Sequence, residues 1–322
     1  MAEKFETPLD LIRHLTYATG KRGDRLFTGF CVDTHPSGRH YICGGLYRQS
    51  VVSSEYVQDK PDPFYMHMPH KHDLPYALIF GQVKWDPKGL LCVSGGAKND
   101  GPLSSPDVMY MDPFETSPTW KPTTPMPGGR FCHAMSILPD STLFVSGGWY
   151  EERDTYAAPP LSSIIKLDVS DEDPVWERFL DMPEPRWAHT LHHHSDGFMY
   201  VFGGIGPDGY TLSSTFRFDP YSDMPTIDPL PDLPEPCRYP VALTLEDSGE
   251  KGLYVFVLTN SESLETPESY TIYRLIQTSD NDLTWEHVES PPENTPWNFL
   301  RWKSAVQVEI PEGSYVCVDV PT

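Results

Sequence analysis

Four glycine pairs at an even spacing, a serine pair keeping the same beat, and an arginine-led strand before the pair predict an all-β fold. The unit is about 50 residues long with four short strands, the pattern of a β-propeller blade. The apolar runs RHYICGGL, LLCVSGGA, TLFVSGGW and MYVFGGIG each close on Gly-Gly. Their second glycines are Gly45, Gly96, Gly148 and Gly204, so the steps are 51, 52 and 56 residues. Glycine suits a strand exit that needs φ > 0, where a Cβ would clash. The segments SSEYVQD, LSSPDVMYMDP, LSSIIKLDV and LSSTFRFDP follow, with second serines Ser54, Ser105, Ser163 and Ser214 at steps of 51, 58 and 51. A further strand carries Trp120 or Trp176. The turns MPGGR and MPEPR then end at Arg130 and Arg186 and lead into FCHAMSIL and WAHTLHHH. LPEPCR, ending at Arg238, reads as the same turn lengthened by one residue.

Counting starts at Arg25, His72/Asp73, Arg130, Arg186, Arg238 and Arg301 gives six units. The last two are irregular. GLYVFVLTN has Val257-Leu258 where the glycine pair belongs, and RWKSAVQVEI with GSYVCVDV supplies only two strands. The expectation is a six-bladed propeller formed by residues 25–322 as a single domain. Residues 1–24, chiefly PLDLIRHLTYATG, complete the last blade together with the C-terminal strands, which removes exposed edges. Thr7-Pro8 followed by Leu9, Ile12 and Leu15 also reads as a capped amphipathic helix, so strand and helix both stay open for Met1 to Gly20.

Charge narrows the function classes. A formal net charge of −22 over 322 residues points away from nucleic acid and anionic membranes, which are held by basic patches. A protein or small-molecule partner is expected instead. Met1 to Gly20 lacks the pattern of a secretory leader, and no run of 18 apolar residues occurs, so the expected location is cytoplasmic. The six cysteines form no CxxC pair and read as buried reduced thiols. No cofactor is expected.

With the glycine pair, the aromatic and the arginine-led strand in phase, the sequence resembles the Kelch-repeat family. The resemblance implies that the loop entering the third strand of each blade opens on the same face as the loop carrying the arginine. Arg25, Arg130, Arg186, Arg238 and Arg301 would then line one basin with Ser54, Ser105, Ser163, Ser214 and Ser269. In Kelch-type adaptors of ubiquitin ligases the matching positions grip acidic peptide loops, so a module binding a protein or acidic peptide is implied. Guanidinium forks suit carboxylates. The plainer alternative pairs each arginine with a nearby acid, such as Asp24, Glu184 or Glu235, and has each serine cap its own turn.

The same resemblance reaches propeller enzymes, and the alternative function is an epimerase-like, isomerase-like or metal-dependent enzyme. It would act on an acidic small molecule in an axial pocket, with His133, His189 and Tyr76 as candidate catalytic groups. The stretch YMHMPHKHD places His67, His70 and His72 within nine residues. A metal would need these imidazoles to converge on one ion. The preferred reading is a surface turn in which Met68-Pro69 matches Met126-Pro127 and His72 stands in the arginine position.

Overall fold

The computed structural model describes residues 74–76, 78–98, 104–150, 159–258, 270–280, 282–292 and 295, and six further strands through their backbone. Strand β1 (Leu26–Thr28) comes first. The first sheet contains β2 (Cys31–Thr34), β3 (His40–Cys43), β4 (Val51–Glu55) and β5 (Phe64–His67). In the second region a short β6 (Leu78–Ile79) precedes β7 (Gln82–Trp85), β8 (Leu91–Ser94), β9 (Ala97–Lys98), β10 (Val108–Met111) and β11 (Lys121–Pro122). The third sheet contains β12 (Ala134–Ile137), β13 (Thr142–Ser146), β14 (Ser163–Asp168) and β15 (Glu177–Asp181). The fourth contains β16 (Thr190–His193), β17 (Met199–Phe202), β18 (Thr215–Phe218) and β19 (Asp228–Leu230). The fifth contains β20 (Val241–Asp247), β21 (Glu250–Leu258), β22 (Tyr270–Gln277) and β23 (Leu283–His287), and β24 (Gln307–Glu309) comes last.

Five sheets are thus four-stranded antiparallel meanders, with β7-β8-β10-β11 as the second, while β6 pairs with β9. Strands β1 and β24 pair antiparallel, Leu26 opposite Glu309. The first strands β2, β7, β12, β16 and β20 contact one another in succession, so they line the axis and the sheets radiate from it as blades. The expected closure by PLDLIRHLTYATG lies outside the described residues.

Burial follows from this packing. The second strands β8 and β17 are buried at every residue, because each is sandwiched between neighbouring blades and reads as a continuous apolar run. Outer strand β11 is exposed. Between the third and fourth blades, Ala134, Phe144 and Ile164 pack with Leu191, Met199 and Phe218, each large apolar side chain contributing roughly 1.5–3 kcal/mol.

The glycine pairs are the seams between blades. Gly147 and Gly148 have φ of 54° and 93°. A Cβ on Gly147 would lie 2.4 Å from the Arg186 carbonyl oxygen of the next blade, and the Gly148 N–H donates to that same oxygen at 2.9 Å. The equivalent bonds run from Gly96 to the Arg130 carbonyl and from Gly204 to the Cys237 carbonyl. The period legible in the sequence is therefore the period of interblade contact.

At the axis a second device repeats. Phe80, Cys132, Ala188 and Tyr239 all have positive φ, at 54°, 52°, 54° and 47°. Cys132 N–H donates to the Phe80 carbonyl, Ala188 to Cys132, and Tyr239 to Ala188, at 2.9, 2.8 and 2.7 Å. This chain of bonds across four blades holds each residue in a backbone region that costs L-residues roughly 1–2 kcal/mol. The surrounding side chains are apolar: Ile79, Phe131, Trp149, Trp187 and Ile205 pack with this ring. The Phe80 and Tyr239 rings stack at 6.5 Å.

Candidate functional site

The axial ring fixes which residues are equivalent, and three expected positions shift. The buried anchor that opens each turn is Leu74, Met126, Met182 or Leu233, between 2 % and 4 % exposed. The second blade's turn is consequently LPYAL, not MPHKHD, and Leu78 rather than His72 or Asp73 occupies the arginine position. In the fifth blade LPEPC has the same length as MPEPR. Cys237 takes the arginine position, as its carbonyl bond to Gly204 shows, and Arg238 moves to that of Trp187. Ser105 is displaced too. Gly95, Gly147 and Gly203 donate to the carbonyls of Asp107, Ser163 and Ser214, so Asp107 stands where Ser105 was expected. Ser105 is fully buried and accepts a hydrogen bond from the Asp107 N–H at 3.1 Å.

Arg130 and Arg186 do meet Ser163 and Ser214. In the fourth blade the Arg186 guanidinium donates to the carbonyls of Gly203 and Ser214 at 2.9 and 3.2 Å and to Ser214 Oγ at 2.9 Å. It also donates to Glu184 Oε1 at 2.9 Å, and Ser214 Oγ donates to that same oxygen at 2.9 Å. Arg186 is 1 % exposed. It ties the glycine turn to the third strand, and the acid expected as its alternative partner is the one it has. Glu184 holds the place that a ligand's acid would take.

The third blade builds the same clamp without the acid. Arg130 donates to the carbonyls of Gly147 and Ser163 at 3.2 and 3.5 Å and to Ser163 Oγ at 3.5 Å. MPGGR has Gly128 where MPEPR has Glu184, and no carboxylate among the described residues pairs with Arg130. Burial without a counter-charge pulls its pKa down to about 10. A Cβ on Gly128 would meet nothing within 4 Å, so a side chain can leave the backbone there as it does at Glu184.

The remaining blades use other chemistry. In the second, the Tyr76 hydroxyl donates to Asp107, and burial followed by that bond raises the phenol pKa. In the fifth, the Tyr273 hydroxyl donates to Glu235 at 3.0 Å, and strand register puts Thr271 level with Ser214. Arg25, Arg301 and Ser269 lie outside the described residues, as do the side chains of Ser54 and His67 and the whole of His70 and His72.

The candidate catalytic set does not converge. His133 Nε2 and Ser94 Oγ are 2.8 Å apart, and His189 Nε2 and Ser146 Oγ are 2.7 Å apart. Each pair joins adjacent blades. Burial first, and the neighbouring arginine second, pushes the His133 pKa down to about 3 and that of His189 well below the ordinary value. Both are neutral rivets with no solvent path, and Tyr76 is engaged elsewhere with Asp107. Among the described residues no group of three or more His, Cys, Asp or Glu side chains is placed to hold a metal. Among the described residues the axis is lined by the aromatic and apolar ring, with the Tyr239 hydroxyl donating to Cys132 Sγ at 3.3 Å. Cys92, Cys132 and Cys237 are free and buried, and burial raises each thiol to about 12.

No protein-family model matches the chain. Adagio protein 3 of Arabidopsis thaliana is 28 % identical over 208 residues, covering 62 % of this chain and 31 % of the relative. Kelch-like protein 35 of Mus musculus is 31 % identical over 132 residues, 41 % of this chain and 20 % of the relative. The Kelch domain-containing protein 10 homolog of Drosophila melanogaster is 25 % identical over 179 residues, 50 % and 26 % respectively. The chain spans less than a third of each of these curated relatives. Among solved structures, that of YjhT superposes with a TM-score of 0.58 at 12 % identity, over 81 % of this chain and 83 % of that one. Radiating four-stranded blades, glycine pairs at every described seam but the last, and relatives that carry the name agree, and the chain belongs to the Kelch-repeat family of β-propellers.

Proposed function

We propose that the protein is an interaction module whose loop face binds an acidic segment of a protein partner, with the Arg130–Ser163 clamp receiving one carboxylate. The observation that carries this reading is the contrast between two adjacent blades. Glu184 sits on Arg186 and Ser214 from the chain's own turn, whereas the identical clamp at Arg130 and Ser163 has Gly128 in that place. An Asp or Glu of a partner entering beside Gly128 would repeat the internal arrangement. A cation buried without a carboxylate favours such a group, since hydrogen bonds between charged partners are roughly twice as strong as neutral ones. The relatives named Kelch-like and Adagio support an interaction role in general terms. Arg25 and Arg301, with Ser54 and Ser269, remain proposed members of the surrounding face, while Arg186 and Ser214 shape it.

Fluorescence anisotropy with a labelled Glu/Asp-rich peptide, and its Gln/Asn counterpart as control, tests the reading. The wild-type chain is expected to bind the acidic peptide and not the neutral one. Gly128→Glu, which supplies the missing carboxylate internally, is expected to weaken binding by about tenfold or more while leaving the protein at least as stable. Equal binding of both peptides, or unchanged binding by Gly128→Glu, would refute it.

A further inference from the structure

On the face opposite the arginine clamps, where the first and second strands of each blade are joined, a cavity of about 310 Å³ opens between the fourth and fifth blades. Its cationic lining comes from three strands: Arg217 on β18, Lys251 on β21 and Arg274 on β22. We propose that this cavity is a binding site for a small phosphomonoester, separate from the protein-binding face.

The arrangement is unusual for so acidic a chain. The two arginines are held in place by stacking: Arg217 lies over the Phe198 ring at 4.3 Å and Arg274 over the Tyr254 ring at 5.5 Å. Gly252 makes room for this, since a Cβ there would lie 2.8 Å from Tyr254 and 3.0 Å from Arg274 Nε. Their nearest acids, Asp228 and Asp247, stand 3.6 Å away and do not line the cavity. That separation exceeds the roughly 2.7–2.9 Å of a tight charge-assisted hydrogen bond. Arg217 Nε is out of solvent and faces Asp228 Oδ2 at 3.6 Å, beyond hydrogen-bond distance. Asp196 does line the cavity, but its two oxygens already accept from the Phe198 N–H at 3.1 Å and the Tyr200 hydroxyl at 2.6 Å. Arg217 in turn donates to the Tyr200 hydroxyl at 3.3 Å.

Three cations approaching from different strands suit an anion with three free oxygens better than a carboxylate with two. Beside His194, Ile276 and Gln277, the wall has Leu253, Leu275 and Leu283 from the apolar cluster of the fifth blade, so the ester carries an apolar moiety. The volume is at the lower end of small-molecule sites, roughly 300–1,000 Å³, which excludes a folded segment.

The test is isothermal titration calorimetry of the full chain with phenyl phosphate, inorganic phosphate and benzoate. Phenyl phosphate is expected to bind saturably and more tightly than the other two. Lys251→Glu, an exposed position whose change spares the core, and Arg274→Gln are each expected to weaken it by about tenfold or more. Gly128→Glu on the other face is expected to leave it unchanged. Absence of saturable phenyl phosphate binding would overturn the proposal, as would equal affinity for benzoate. Undiminished binding to cooperatively folded Lys251→Glu, or loss of binding in Gly128→Glu, would do the same.

Discussion

Arg186→Ala is expected to lower the unfolding free energy by about 2–4 kcal/mol, the scale of leaving a buried acceptor unpartnered together with the cavity of a large buried side chain. The substitution strands the Gly203 carbonyl, leaves the Ser214 carbonyl only the Gly203 N–H, breaks the pair with Glu184 and removes the guanidinium packed 5.2 Å from the Phe216 ring. Against a typical total of 5–15 kcal/mol for a domain, that is a large share. Glu184→Gln isolates the acid's part. Glu184 is 38 % exposed, so the change is expected to cost about 1 kcal/mol or less. Urea unfolding reads both. A cost for Arg186→Ala no larger than that for Glu184→Gln would mean that the clamp does not hold the blade.

Stability is expected to fall steeply as pH drops below about 6.5, before carboxylates begin to protonate. His133 and His189 have folded pKa values pushed below the ordinary histidine value, to about 3 for His133. The unfolded chain therefore binds protons that the folded chain does not. Their contribution is fully present above pH 6.5 and is lost as pH falls toward the folded values. His192 is pushed down to about 3 in the same way, and burial lowers His193 and His194 as well, so each of these histidines adds up to about 1.4 kcal/mol per pH unit to the slope. His133→Gln removes one of these titrating groups and is expected to reduce that slope by up to about 1.4 kcal/mol per pH unit between about pH 6 and 5, as read by urea midpoints. A midpoint independent of pH over that window would show that the histidines protonate in place or that the Ser94 and Ser146 bonds do not hold them neutral.

Much of this fold is legible in the sequence because its periodic features are interblade contacts. Glycine pairs recur where a Cβ would strike the next blade's backbone, and the apolar runs before them are the sandwiched second strands. The site was harder to place because the turn's chemistry varies while its length does not. Met68-Pro69 copies the letters of Met126-Pro127, yet the anchor position asks only for a buried aliphatic side chain followed by proline, which Leu74-Pro75 satisfies. Spacing carries the signal that the letters hide: Leu74 to Gly95, Met126 to Gly147 and Met182 to Gly203 are each 21 residues. The five-residue length of MPEPR, applied to LPEPC, would have put Cys237 rather than Arg238 level with Arg186. The positive-φ ring at Phe80, Cys132, Ala188 and Tyr239 leaves no compositional trace, since four different side chains fill it. The Gly128/Glu184 difference was in plain view but acquired meaning only once both arginines were found on the same partners.

The most direct measurement is a ¹⁵N-edited NMR spectrum of the arginine Nε–H groups during titration with the Glu/Asp-rich peptide. The Arg130 resonance is expected to shift saturably while that of Arg186, already occupied by Glu184, stays in place. Saturable peptide binding with Arg130 unmoved would contradict the account and return the clamp to a purely structural role.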